Sequence, residues 1–249
     1  TSLTGIKGIE TDRGEIFIKF GKPDQVERSS NENGKIIDEK YALIELDANK
    51  FPADTEMQKV INENEKPFIS EINKVIGYST LPLYRYFVVE NTIDTMIIDA
   101  LKWKVGTDIV LSNGFRFCPP RSKKDSTGNI PITEGYLFDM LPVDSQVRTG
   151  KVSGRQLVDW LEKELNNVFA KDASKRLGGW VVKFKGMKVS FKAFEEMGKR
   201  IQTIEVNDKP IDPSKMYTVC ACEREGDPID MLCRLKGVED AKNTEYSLH

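Results

Sequence analysis

The sequence predicts an α/β or α+β fold: a mixed β-sheet covered by helices, preceded by a short β-rich arm and a linker helix. Three observations carry that prediction. Residues 92–105 and 153–169 repeat their apolar positions every three or four residues, as helices with one buried face do. Short alternating or wholly apolar runs bounded by Gly, Asn and Asp stand between and after those segments, as strands do. Helical and strand patterns interleave along the chain, the order expected of helices packed on a sheet.

Taken in order, Gly14 to Phe20 alternates apolar and charged residues, and Tyr41 to Leu46 supplies a second strand within the run Lys35 to Asp47. Arg28 to Gly34 between them reads as a polar turn or loop. Residues 1–53 form the β-rich arm. From Asp54 to Ile76 the apolar positions Met57, Val60, Ile61, Phe68, Ile72, Val75 and Ile76 follow helical spacing, and Pro67 breaks or restarts the helix. Residues 54–80 are therefore the linker helix region, and residues 81–249 the main domain.

Within that domain Thr92 to Val105 is a helix, and Asp108 to Ser112 a short buried strand that ends in Asn113-Gly114. Ser153-Gly-Arg-Gln156 has the form of a capping box, continued by Leu157, Trp160, Leu161, Leu165, Val168 and Phe169. Trp180 to Phe184, Met187 to Phe191, Ile201 to Val206 and Tyr217 to Cys222 read as successive strands, and Pro228 to Leu235 as a short helix.

Composition excludes several functions. The chain has 249 residues, 37 basic against 39 acidic, for a net charge of −2, so the cationic excess that drives nucleic-acid binding is missing. No run of about 18 apolar residues is present to span a membrane. The single histidine is His249, so a Ser-His-Asp triad, a Cys-His dyad or a histidine-rich metal centre cannot be assembled from this sequence. Cys118, Cys220, Cys222 and Cys233 are too few for a disulfide framework, and Cys220-Ala-Cys222 lacks the two-residue gap of zinc or thioredoxin-type pairs. Buried free thiols are the favoured reading, with Cys220 and Cys222 on one face of a strand. The chain begins at Thr1 without a basic-then-apolar leader, as a processed or excised segment does.

Chemistry concentrates at Gly106 to Arg116. A buried strand ending in Asn-Gly and followed by Arg places backbone N–H groups and a guanidinium at a sheet edge, where an anion or carbonyl can be held. A plain strand-to-turn joint with a surface arginine is the simpler alternative. Asp94 and Asp99, five apart on one helix, point in different directions and make no carboxylate pair. Lys171 to Arg176 reads as a solvated loop, and Trp160, Phe169 and Trp180 as core.

Gly106 to Arg116, Gly128-Asn-Ile-Pro-Ile-Thr133, Met140-Leu-Pro-Val143 and Val152 to Glu162 together resemble, in order, the C-terminal domain of the 5′-nucleotidase and UDP-sugar hydrolase family. Gly198 to Ile201 and Lys209 to Thr218 resemble that domain's closing hairpin and strand, so the resemblance covers about residues 67 to 240. It implies a substrate-recognition domain that grips the leaving-group side of a small molecule such as a nucleotide. Metal-dependent hydrolysis would belong to a separate N-terminal domain carrying a divalent metal pair. No metal site or other cofactor is expected in this chain, which alone should be inactive. Periplasmic or secreted localisation follows from the same resemblance. The implied substrate contacts are Asn113, Gly114 and Arg116, with Arg85, Ser145 and Asp227 as further candidates.

Two departures qualify it. The family's base-sandwiching aromatics are replaced by Val143 and, at approximately the second position, Cys222, although Phe115, Phe117 or Tyr136 could supply a relocated ring. Gly178 to Met187, Gly198 to Ile201 and Arg224 to Asp230 look more like the related sulfur-oxidation thiosulfohydrolase, which acts on a sulfonate borne by a carrier protein. That branch is the alternative function, beside a non-catalytic interaction domain.

Overall fold

The computed structural model describes residues 25–30, 36–42, 50, 52–85, 87–112, 120–224 and 226–248. Their contacts form two compact units, residues 1–67 and 68–249. In the first, β1 (Gln25–Ser30) pairs antiparallel with β2 (Ile36–Ala42), with Arg28 opposite Glu39 and Ser29 opposite Asp38. The expected polar turn is thus strand as far as Ser30, because a main-chain ladder recruits polar residues as readily as apolar ones. The expected strand Gly14 to Phe20 lies outside the described residues. Helix α1 (Thr55–Glu65) starts where Asp54 accepts a hydrogen bond from the Met57 N–H, and it buries none of its residues.

Pro67 interrupts the helix as expected: a 3-10 turn (Lys66–Phe68) follows α1, then the single turn α2 (Ile69–Ile72). The expected helix does not reach Ile76. Val75 and Ile76 begin β3 (Val75–Ser79), which pairs antiparallel with β5 (Ile130–Thr133). β-branched residues fit that pairing better than another helical turn.

The second unit is built on a five-stranded mixed sheet in the order β14-β6-β11-β4-β7. Its strands are β4 (Ile109–Ser112), β6 (Gln146–Ser153), β7 (Lys183–Lys185), β11 (Met216–Cys222) and β14 (Glu239–Ser247). Only the β11–β4 neighbours run parallel, with Val219 opposite Ile109 and Cys220 opposite Val110. Helix α3 (Thr92–Val105) and α4 (Glu134–Met140) pack on one face, α5 (Gly154–Phe169) on the other. Both faces are therefore covered, and β4 is buried at every position. Along β11, Tyr217, Val219 and Ala221 enter the α5-side core while Cys220 and Cys222 face α3. Burial pushes both thiols up to about 12, so they stay protonated and inert at neutral pH.

The capping box forms as read: the Ser153 hydroxyl accepts the Gln156 N–H and the Gln156 side chain accepts the Ser153 N–H. A three-stranded antiparallel sheet, β8 (Met187–Phe191), β9 (Ile201–Val206) and β10 (Lys209–Pro210), follows β7. Gly186, at φ +92°, turns the chain from β7 into β8 so close to the backbone that a Cβ there would lie 2.0 Å from the Asp108 carbonyl oxygen. The expected helix from Pro228 to Leu235 is instead a hairpin, β12 (Met231–Leu232) and β13 (Leu235–Lys236). Its turn residues Cys233 and Arg234 both have positive φ, which a helix cannot accommodate.

Candidate functional site

The topology brings chemistry to one edge of the five-stranded sheet. Because β4 and β11 are parallel, their C-terminal ends Ser112 and Cys222 emerge at the same edge, and their antiparallel neighbours begin there with Lys183 and Gln146. Carboxyl ends of parallel strands are where open sheets take their ligands.

Under this edge lies a buried polar cluster centred on Asp94, in the first turn of α3. Arg85 Nη2 donates to Asp94 Oδ1 at 3.0 Å, and each side chain is only 2% exposed. Ser112 Oγ donates to the same oxygen at 3.0 Å, tying the end of β4 to α3. Asn91 caps the helix by accepting the Asp94 N–H, and its amide donates to Asp94 Oδ2 at 2.6 Å and to the Arg85 carbonyl at 3.0 Å. The carboxylate is thus compensated by three donors, as a buried charge must be.

Lys183, the first residue of β7, is also buried. Its ammonium donates to the carbonyls of Phe87 (3.2 Å), Val88 (3.1 Å) and Val181 (2.8 Å). Burial lowers its pKa to about 8, against the opposing pull of Asp94 and Glu90, with Arg85 adding to the lowering. Among the described residues, the buried cluster holds two cations, Arg85 and Lys183, and one carboxylate, Asp94. The exposed Glu90 also faces Lys183, so two carboxylates stand against the two cations.

A second buried arginine orders the flank. Arg148 on β6 pairs with Glu223 at 3.1 Å, donates to Asn243 Oδ1, and reaches the Pro228 and Ile229 carbonyls. It thereby pins the segment after β11 against β6 and β14.

The residues expected from sequence distribute unevenly. Asn113, Gly114 and Arg116 lie outside the described residues; they follow Ser112 in the chain. Arg85 is in the buried cluster, joined to Asp94. Ser145, just before β6, donates its N–H to the Val143 carbonyl, and its own carbonyl accepts the Leu248 N–H. Asp227 sits in the segment that Arg148 holds, 3.7 Å from Arg224 Nε. Val143 is 54% exposed. Tyr136 is core, 2% exposed beneath the Arg121 guanidinium, and offers no stacking face to a ligand. Phe115 and Phe117 lie outside the described residues. Asp94 and Asp99 diverge as their spacing required: Asp99 pairs at the surface with Lys185.

Sequence reading missed Asn91, Asp94, Lys183 and Arg148. Asn91 with Asp94 three residues on was a legible helix start. Lys183 between Val181-Val182 and Phe184 was a charge in an apolar run, the mark of a buried polar group. Among the described residues no group of three or more His, Cys, Asp or Glu side chains could hold a metal ion. No helix among them is long and apolar enough to cross a membrane.

Residues 74–223 match the family described as 5′-nucleotidase, C-terminal domain. No curated protein sequence matches significantly. Among solved structures, the Thermus thermophilus sulfate thiohydrolase SoxB, determined with glycerol, superposes with a TM-score of 0.66 at 19% identity over 82% of this chain. A 5′-nucleotidase precursor from Thermus thermophilus gives the same TM-score at 18% identity over 90%. At such identities the likeness is one of fold, and the chain spans 38% and 44% of those two proteins. With the family match extending over more than half its length, this chain belongs to the 5′-nucleotidase C-terminal domain family.

Proposed function

We propose that this chain is a substrate-recognition domain of a 5′-nucleotidase-family hydrolase, binding the anionic group of a small substrate at the sheet edge formed by β4 and β11. The observation that carries the reading is the placement of the buried Arg85 guanidinium, with Asp94, Asn91 and Ser112, at the carboxyl ends of the parallel strands β4 and β11. Arg116, Asn113 and Gly114 would add contacts from the segment after β4, with Ser145 and Asp227 on the flank. The domain supplies binding energy and orientation, and the bond-breaking metals belong to another domain of a periplasmic or secreted parent protein.

A second reading, a thiosulfohydrolase-like domain receiving a protein-borne thiosulfonate, is favoured by Val143 and Cys222. Neither residue can sandwich a nucleobase. Calorimetric titration with AMP, UDP-glucose, adenosine and thiosulfate separates the readings. AMP and thiosulfate are expected to bind, whereas adenosine, lacking both anion and clamp, should bind at about millimolar affinity or weaker. Micromolar adenosine binding would establish a relocated stacking surface and restore the nucleotide reading alone; binding of none of the four would leave an interaction domain. Arg116→Ala should weaken anion binding by about 1.5–3 kcal/mol, the worth of a charge-assisted hydrogen bond, without unfolding the protein.

A further inference from the structure

We propose that Lys183 is a positioning residue for anion recognition: its ammonium latches the strap of residues 87–90 onto β7 and thereby fixes Arg85 and Asn91, which flank that strap. This inference rests on the anion-recognition reading above. It concerns a residue that need not touch the ligand.

Phe87, Val88 and Val89 are 60%, 42% and 46% exposed, so their burial contributes little. Beside the strap, Val89 and Glu90 line a cavity of about 450 Å³ whose floor includes Ile98, Leu165 and Met187. The Phe87 ring meets Tyr84 at 5.2 Å between centroids. Hydrogen bonds hold the main chain of the strap: the Val181 N–H donates to the Val88 carbonyl at 2.8 Å, and the Lys183 ammonium reaches both Phe87 and Val88. With its third bond to the Val181 carbonyl, Lys183 employs all three donors of an ammonium. A neutral amine has only two, so deprotonation must release one carbonyl and remove the charge from the other bonds.

What the strap carries makes this functional. The Arg85 carbonyl is held by Asn91, and both side chains converge on Asp94, so the strap is clamped at its ends by the site's own residues and in its middle by Lys183. The charged groups facing Lys183 are Asp94 from α3 and Glu90 and Arg85 from the strap segment. β4 contributes the neutral Ser112 opposite it, and from β11 the Cys222 thiol, which faces Arg85 and Asp94, stays protonated up to about 12. Lys183 is the member of this set that changes charge near pH 8.

The test uses the full chain. Amide 1H–15N shifts of Val88, Val89, Glu90 and Asn91 are followed from about pH 7 to about pH 9.5 without ligand, and thiosulfate and AMP affinities are measured across the same range, where thiosulfate keeps its charge. Expected are a strap inflection near the Lys183 value of about 8 and a parallel fall of about tenfold or more in affinity for both anions. Lys183→Arg, charged throughout, should abolish both pH effects while retaining binding. If the larger guanidinium perturbs packing, Lys183→Met serves instead: the inflection disappears, and affinity at neutral pH drops to the level of the wild type at high pH. Strap amides that do not titrate, or anion binding that is flat with pH, would overturn the proposal while leaving anion recognition intact. A titrating strap with no anion bound at any pH would refute the recognition reading, and the proposal with it.

Discussion

Asp108 stands two residues past Gly106, at the start of β4, and its chemistry is structural. Burial raises its pKa, but the backbone N–H and hydroxyl of Thr218 and the Asn207 amide all donate to it, and together they hold the carboxyl below its ordinary value. It stitches the start of β4 to β11. Because the folded pKa is the lower one, this stabilisation is present in full above the unfolded value of 3.8 and is lost as pH falls below it. Asp108→Asn should cost about 1–3 kcal/mol at neutral pH and show a shallower loss of stability in acid, measured by urea unfolding at several pH values. Lys183 shifts in the same direction for the opposite reason, because burial disfavours its charged form. Its folded pKa of about 8 lies below the unfolded 10.5, so the unfolded chain binds more protons between those values and stability rises with pH across that window. Lys183→Met should remove that rise. The ammonium is therefore kept at the site against the preference of the fold, which agrees with a role in recognition. Asp94→Ala, leaving the Arg85 guanidinium buried beside an empty space, should destabilise by about 3–5 kcal/mol, and Asp94→Asn by less.

At the scale of elements, what could be read depended on whether a pattern was local. α3 and α5 were legible to within a residue because their apolar stripes are regular and, for α5, the cap Ser153 is written beside the stripe. β14 gave no signal: Glu239 to Ser247 is polar along most of its length, as suits an edge strand, and is held by backbone pairing to β6. The β12–β13 hairpin misled because Met231, Leu232 and Leu235 fall at helical intervals. Tertiary contacts decide its shape. Trp160 Nε1 donates to the Cys233 carbonyl, and the Arg234 guanidinium makes two bonds to Glu164, a carboxylate buried in α5. Those contacts stabilise a turn whose two residues lie in the left-handed region, and no local pattern announces them. Arg234→Ala strands the Glu164 charge. Since the arginine is itself partly exposed, a loss of about 2 kcal/mol is expected by thermal or urea unfolding, with the far-ultraviolet circular dichroism unchanged.

Across the whole molecule, a mixed sheet with helices was legible because β4, β8, β9 and β11 are short apolar or alternating runs, whereas the sheet's order, set by contacts between distant segments, was not. The site was legible in the same partial way. Arg85 could be named from its resemblance, but its partner Asp94 and the latch Lys183 become neighbours only when α3 and β7 meet at the end of β4. Charge assembled by topology in this way also bears on what the chain can do by itself. Hydrolysis of a phosphoester by a metal pair needs several oxygen and nitrogen donors converging on each ion, with an open position for water. The sequence has one histidine, His249, and of the described carboxylates near the site Asp94 is bonded to Arg85, Ser112 and Asn91, and Glu223 to Arg148. The purified chain is therefore expected to release no phosphate from AMP or UDP-glucose above background with added Mn²⁺, Zn²⁺ or Mg²⁺, even at anion concentrations that saturate binding. A malachite-green assay run beside the calorimetry makes the comparison on one sample. Chelator-sensitive turnover that persists through further purification and scales with this protein would show that the chain assembles a metal centre of its own, and would place catalysis, as well as recognition, within these 249 residues.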